Sequence, residues 1–394
     1  MEYLVKEHTG KAIQNAIDAA AAAGGGKVTL LPGDYLSGTI YLKSNIELHI
    51  PGGSRILGLA DPELYDDFSL PEFDMVRPER SKKCLLACAN GENISITGTG
   101  EINGQGPEFY DRNVPEGEFF AKPPHPRPRM LQLFRCKNVV LENITLKDSP
   151  GWTCWFIDCE DIRVSRIRII GNQQMINNDG IDIDGCRRVS VQDSYFCTGD
   201  DCLVLRAMRK DPAIPVICES IIVSNCILNS RCQGIRIGCP SDDTIRNCLF
   251  SDIVFTGEGR GIVCSNPYVY LRKNCRGYLA VSDIVFRNFS IETKRTPIQI
   301  FCEGNIELRE LRNLRFEHFR IKAKEPLQLE GNGATVLKDI VLNDFSGTIQ
   351  SDIPLKISHV ENLALNGIKI TTLARKPRDD FQRTPSASWE CDVL

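Results

Sequence analysis

Polar and apolar residues repeat one short pattern along most of this chain. A polar residue is followed by apolar, any, apolar, any, then a second residue that is mostly polar or glycine, then apolar or small, any, and usually apolar. Residues 138–146, 161–169 and 313–321 show it plainly. Copies begin at Asn138, Asp161, Arg188, Ser220, Asn247, Asp283, Asn313, Asp339 and Asn362, at intervals of 23, 27, 32, 27, 36, 30, 26 and 23 residues, with a weaker copy at Asn93. Alternation of this kind predicts strands with one buried face. A second short strand is predicted after each central copy. Its first apolar residue is Ile181, Leu203, Ile235, Ile262, Ile298, Leu327 or Leu355, lying 20, 15, 15, 15, 15, 14 and 16 residues after the preceding start. Strand spacing is nearly constant, and the loops absorb the variation.

Units of this length are too short for a crossover helix in each, and none can bury its apolar face alone. They are expected to stack as coils of a parallel β-helix, one all-β domain over 1–394. A solenoid needs capped ends. Residues 1–35 read as the N-terminal cap and first strand, with a helix from Lys11 to Ala23 that presents Ile13, Ala16, Ile17 and Ala20 on one face and stops at Gly24. The polar stretch 371–394 reads as a C-terminal tail or capping extension, and 107–129, rich in Pro, Gly and aromatics, as a long loop. A two-sheet sandwich would place Asn-Gly turns between paired strands, but Asn90-Gly91, Asn103-Gly104 and Asn366-Gly367 fall mostly outside the variable turns.

Composition narrows the function. The chain has 394 residues, 42% hydrophobic and 25% charged, which is globular rather than disordered. A net charge of -4, with no basic stripe interleaved with aromatics, argues against nucleic acid. No apolar run reaches the roughly 18 residues of a membrane span. The start, from Met1 to Glu7, lacks a basic then apolar leader, so the cytoplasm is the expected compartment. Seventeen cysteines without such a leader suggest buried thiols, and neither Cys84/Cys88 nor Cys154/Cys159 has a histidine nearby to complete a zinc set.

If the second strands stack in register, the residues two positions before them form a column: Asp179, Asp201, Gln233, Arg260, Thr296 and Glu325. Adjacent coils lie about 4.8 Å apart, so Asp179 and Asp201 are near neighbours, and Asp200 makes the cluster three carboxylates. Crowded acids repel, which raises at least one proton affinity and leaves another group ionised. An acid/base hydrolase needs that combination; turn chemistry and a shared Ca2+ are the competing readings. His8, His49, His125, His318 and His359 all lie outside the column, so Ser/His or Cys/His nucleophilic chemistry fits poorly.

Several segments resemble the polygalacturonase-like glycoside hydrolases of family 28. They are residues 24–33, Asn103-Gly104-Gln105-Gly106, Ser149-Pro150-Gly151-Trp152, and above all Asn177-Asn178-Asp179-Gly180 and Gly199-Asp200-Asp201-Cys202. The resemblance spans about Lys11 to Ile370. It implies a right-handed parallel β-helix and an inverting hydrolase of α-linked, uronic-acid-containing pectic oligosaccharides, with no cofactor and no metal. Asp200 would be the general acid, and Asp179 and Asp201 would activate the water. The family's Gly-His-Gly falls on Cys232-Gln233-Gly234 and its Arg-Ile-Lys on Val263-Cys264-Ser265. These departures leave a rhamnogalacturonan-type or otherwise altered specificity open.

Substrate-binding candidates are Trp152, Asn177, Asp182, Arg206, Gln233, Arg236 and Arg260. Asp182, Asp184, Arg206 and Arg236 occupy outward alternate positions, where an arginine could take a substrate carboxylate or simply pair on the exterior, Asp184 with Arg206 for instance. Two other classes compete: a Ca2+-dependent polysaccharide lyase with Arg260 abstracting the proton, and a carbohydrate-binding solenoid without turnover.

Overall fold

The polar residues that open each copy of the pattern are corners. Asn93, Asn138, Asp161, Arg188, Ser220, Asn247, Asp283, Asn313, Asp339 and Asn362 all have positive φ, between 50° and 60°, in a computed structural model that describes residues 1–68, 81–115, 117–271, 278–304 and 306–373. The second polar position is a corner too, with Asn143, Arg166, Asp193, Asn225, Asp252, Asn288, His318 and Asp344 between 52° and 63°. Left-handed backbone is costly for most side chains and least so for Asn and Asp, which explains the composition of these sites. Stacking adds a second reason. The Asn138 amide donates to Asn93 Oδ1 at 2.8 Å and the Asn93 amide to Asn45 Oδ1 at 2.7 Å, forming a ladder between successive coils.

Between corners the chain is extended, and every pairing of named strands is parallel, which rules out a hairpin-built sandwich. The second strands form an eleven-stranded sheet: β1 (Ile40–Tyr41), β2 (Cys84–Ala89), β3 (Arg129–Phe134), β4 (Cys154–Ile157), β5 (Ile181–Asp184), β6 (Leu203–Arg206), β7 (Gln233–Ile237), β8 (Arg260–Cys264), β9 (Ile298–Phe301), β10 (Leu327–Glu330) and β11 (Leu355–Ser358). The register pairs Ile181 with Leu203, Leu203 with Ile235, Ile235 with Ile262, Ile262 with Ile298 and Leu327 with Leu355. A second sheet of nineteen strands closes the rest of each coil.

The same register stacks like on like in the core. Phe250, Phe286 and Phe316 lie 5.1 and 4.8 Å apart, and Phe289, Phe319 and Phe345 lie 4.9 and 4.8 Å apart, with near-parallel ring planes. Cys136, Cys159, Cys186 and Cys218, each two residues before a corner, form a buried row, and none of the described cysteines is in a disulfide.

The N-terminal helix α1 (Gly10–Ala22) buries Ile13, Ile17 and Ala20 over the first coil, and Thr9 Oγ1 accepts the Ala12 N–H at 3.2 Å as its N-cap. The strand Glu2–Val5, too short to show periodicity, precedes it and pairs with Gly26–Leu30. At the other end the last strand, Val360–Thr372, takes Thr371 and Thr372 from the stretch expected to be tail, and 374–394 lies outside the described residues. Among the described residues no helix is long and apolar enough to cross a membrane.

The stacked rings carry a testable load. Phe286→Ala, which removes the middle ring of its stack, should cost about 3–5 kcal/mol, read as a lower denaturant midpoint. A loss under about 1 kcal/mol would show that the neighbouring coils collapse into the gap.

Candidate active site

On β5, β6 and β7 the inward side chains are Ile181, Ile183, Leu203, Leu205, Ile235 and Ile237, all in the core. Asp182, Asp184, Arg206 and Arg236 point the other way, as the alternation requires, yet all four are buried. They form a charged floor beneath the loops that precede and follow the strands.

Asp179 and Asp201 stand two residues before β5 and β6 on adjacent coils, with the Gly180 N–H donating to the Asp201 carbonyl at 2.8 Å. The glycines beside the acids are there because coils meet closely. A Cβ on Gly180 would lie 2.3 Å from the Cys202 carbonyl oxygen, and one on Gly199 2.1 Å from that of Met175. Asn178 Oδ1 accepts the Gly199 and Asp200 N–H groups at 2.8 and 3.1 Å, which holds the Gly-Asp-Asp turn. Asp200 Oδ2 accepts the Asn177 N–H and its Oδ1 the Asp201 N–H, both at 3.0 Å. Asp200 is also the most accessible acid, 7% exposed against 3% for Asp179 and 2% for Asp201.

Two buried arginines meet the other acids. Arg206 lies 2.8 Å from Asp182 and 3.9 Å from Asp179, and Arg236 3.4 Å from Asp201. The expected exterior pair between Asp184 and Arg206 does not form. Although these two are register partners, the loop after β6 brings Lys210 within 2.9 Å of Asp184 and 3.0 Å of Asp158, and Arg206 turns to Asp182 instead.

Burial, together with the neighbouring charges of Asp200, Asp182 and Asp201, pushes Asp179 well above the ordinary carboxylate range. Asp182 is pushed up to about 7 by burial against the opposing pull of Arg206, and Asp201 to about 6 by burial against Arg236. The set therefore retains a proton near neutrality, as an acid/base site requires. Asp179 Oδ1 and Asp201 Oδ1 are buried and make no hydrogen bond among the described residues.

Of the remaining candidates, Gln233 is buried beside Asp201 and its amide donates to Cys232 Sγ at 3.3 Å. Arg260 pairs in register with Gln233, two coils and so about 10 Å beyond Asp201. One atom each of Asp200, Asp201 and Cys232 lie within 4.8 Å of one another. A thiol in that set suits a soft divalent ion better than the all-oxygen shell of Ca2+. Arg206 and Arg129 lie over the Trp152 ring, 4.2 and 4.8 Å from its centroid, so the indole stacks on cations.

Two contributors were missed from sequence. Arg127, in the aperiodic loop, donates to the Pro150 and Ile176 carbonyls, both at 2.8 Å, and to Asn177 Oδ1 at 2.9 Å, thereby holding the residue whose N–H reaches Asp200. No periodic signal marks it. Arg129 does have one. Leu131 pairs with Cys154 and Cys154 with Ile181, so the residues two before them, Arg129 and Trp152, extend the column of Asp179 and Asp201 toward the N-terminus. The loop itself is tied across the acids' edge of the sheet, with Arg231 4.0 Å over Phe119 and donating to the Gly117 carbonyl at 2.7 Å.

Comparison with known proteins agrees with this geometry. Residues 71–218 match the family model described as Glycosyl hydrolases family 28. The chain is 24% identical over 266 residues to a probable polygalacturonase of Arabidopsis thaliana, covering 64% of this chain and 56% of that one. It is 26% identical over 279 residues to one of Vitis vinifera, covering 66% and 56%. The chain thus spans a little over half the length of these curated relatives. Among solved structures, an exopolygalacturonase of Thermotoga maritima superposes with a TM-score of 0.73 at 23% identity, covering 93% of this chain and 92% of that one. A family 28 exopolygalacturonase of Yersinia enterocolitica gives 0.68 at 16%, covering 92% and 78%. The chain resembles the polygalacturonase-like hydrolases of family 28 and has their parallel β-helix fold.

The electrostatics predict a pH dependence. Burial lifts these acids above their unfolded value near 3.9, so between about pH 4 and 7 the folded state holds protons that the unfolded chain has released, and raising the pH favours unfolding. The urea midpoint should fall across that window, and Asp179→Asn should shrink the fall. An equal fall in the variant would mean that Asp179 is ionised in the empty site.

Proposed function

We propose that the protein is a glycoside hydrolase that cleaves α-glycosidic bonds of uronic-acid-containing, pectic oligosaccharides with inversion. The observation that carries this reading is the division of labour among three carboxylates on adjacent coils. Asp179 and Asp201 each face a buried arginine, while Asp200 has no ion pair among the described residues and is the most accessible.

In this mechanism Asp200 donates a proton to the leaving oxygen, and Asp179 and Asp201 take one from the attacking water. A proton held among neighbouring carboxylates belongs to the set; the leaving oxygen, arriving at the most accessible member, draws it to Asp200. Once Asp200 is ionised, the Asn177 and Asp201 N–H groups stabilise its charge. Asp179, with its high proton affinity, is then a strong base for water. Arg206 and Arg236 keep Asp179 and Asp201 in place and limit the repulsion that a second ionised carboxylate brings.

Inversion comes to this chain through the resemblance. Asp200 and Asp201 approach within 4.8 Å, closer than the roughly 6.5–9.5 Å usual for inverting pairs, so the product anomer is the informative measurement.

Asp200→Asn should lower turnover of pectic oligosaccharides by about 10²-fold or more in a protein that still melts cooperatively, since the amide keeps the shape without the proton, while its NH2 replaces one of the two oxygens that accept the Asn177 and Asp201 N–H groups. Retention of more than about a tenth of the rate would remove Asp200 as the acid. Early-time NMR on the wild type should show the β anomer from an α-linked substrate. Unsaturated products absorbing in the ultraviolet, together with chelator sensitivity, would instead identify a lyase.

A further inference from the structure

We infer that the Cys232 thiol is a positioning residue for Asp201: held by the Gln233 amide, it donates to the Asp201 carboxylate and keeps that acid turned to receive a proton from the attacking water. This rests on the glycosidase reading above and adds the neutral group that holds one of its two bases.

This sulfur has no part in the proton transfers above, yet it stands among the groups that carry them. It lies with one oxygen each of Asp200 and Asp201 in a set whose members are within 4.8 Å of one another, and all three residues are buried. Its backbone is fixed on both sides. The Cys232 N–H donates to Ser230 Oγ at 2.8 Å, and that hydroxyl donates to the Asp200 carbonyl at 2.6 Å, which ties the turn to the coil that carries the acids. From the next coil the Arg260 N–H donates to the Cys232 carbonyl at 2.7 Å. A Cβ on Gly259 would lie 1.6 Å from that same oxygen, so the coils meet there without slack.

Asp201 lacks a strong partner. Arg236 approaches it only to 3.4 Å, long for a charge-assisted bond, and Asp201 Oδ1 has no hydrogen bond among the described residues. Arg236 and the hydrogen bond from Cys232 favour the ionised carboxylate, against burial and the charge of Asp200. Gln233 Nε2 donates to the sulfur at 3.3 Å, and a donor on the sulfur polarises its S–H toward the acid. A thiol suits this place because it is uncharged and both a weak donor and a weak acceptor. It orients Asp201 as a carboxylate and can accept from it once protonated, whereas a second cation would hold the charge and weaken the base. The motif that the resemblance lays on Cys232-Gln233-Gly234 has glycine first, and glycine offers no side chain for this contact.

The test compares Cys232→Ala and Cys232→Ser in the full chain on an oligogalacturonide. Cys232→Ala should lower kcat about tenfold with KM changed by less than about twofold, and Cys232→Ser, whose hydroxyl can donate in place of the thiol, should recover most of that rate. Independently of turnover, the infrared S–H stretch isolated by subtracting the Cys232→Ala spectrum from that of the wild type should lie at the low frequency of a hydrogen-bonded thiol. The same subtraction in an Asp201→Asn background, where the charge it donates to is gone, should show the band moved up. An unchanged kcat in Cys232→Ala, equal losses in the two variants, or a band indifferent to Asp201→Asn would overturn the inference. A band that responds to Asp201→Asn, in a protein that hydrolyses no pectic substrate, would uphold the contact and dispose of the hydrolase reading.

Discussion

In-register stacking of coils at the ordinary strand spacing governs everything else in this molecule. Each position meets its own equivalent on the coil above and below. For apolar side chains this is favourable, and the phenylalanine stacks show it. For the corner asparagines it is favourable as well, because an amide carries both donor and acceptor and can bond a copy of itself.

For acids the same constraint is unfavourable. Asp179 and Asp201 are adjacent because their strands are, and Asp182 is on the same floor. The molecule meets that repulsion by burying two arginines among them, and burial with the neighbouring charges raises the proton affinity of Asp179. A salt bridge buried in this way is weak evidence of stability; its value here is positional, since it leaves Asp200 as the one of the three acids without an ion pair among the described residues and the most accessible of them.

Loops supply what the coil cannot. Periodicity fixes the ridge of column residues but not its walls. Those come from chain that leaves the repeat: 107–126, tied down by Arg127, Tyr110 and Arg231, and the stretch after β6, pinned by Lys210. The walls turn outward strand positions into a buried floor.

The fold was legible in the residues because a solenoid is a local repeat: alternation marks the strands, Asn and Asp mark the left-handed corners, and constant offsets set the register, so the neighbouring acids followed by arithmetic. Arg129 was within reach of the same arithmetic, had the column been carried two coils further. Partner choice was not. Asp184 and Arg206 are register partners, and only the return of Lys210 from a variable loop decided that they would not pair. Burial of the arginines and the clamp made by Arg127 likewise depend on loops that obey no period. Spacing along a strand determines which residues share a ridge, but the ion pairs they form depend on which other charges the tertiary fold brings within a few ångströms.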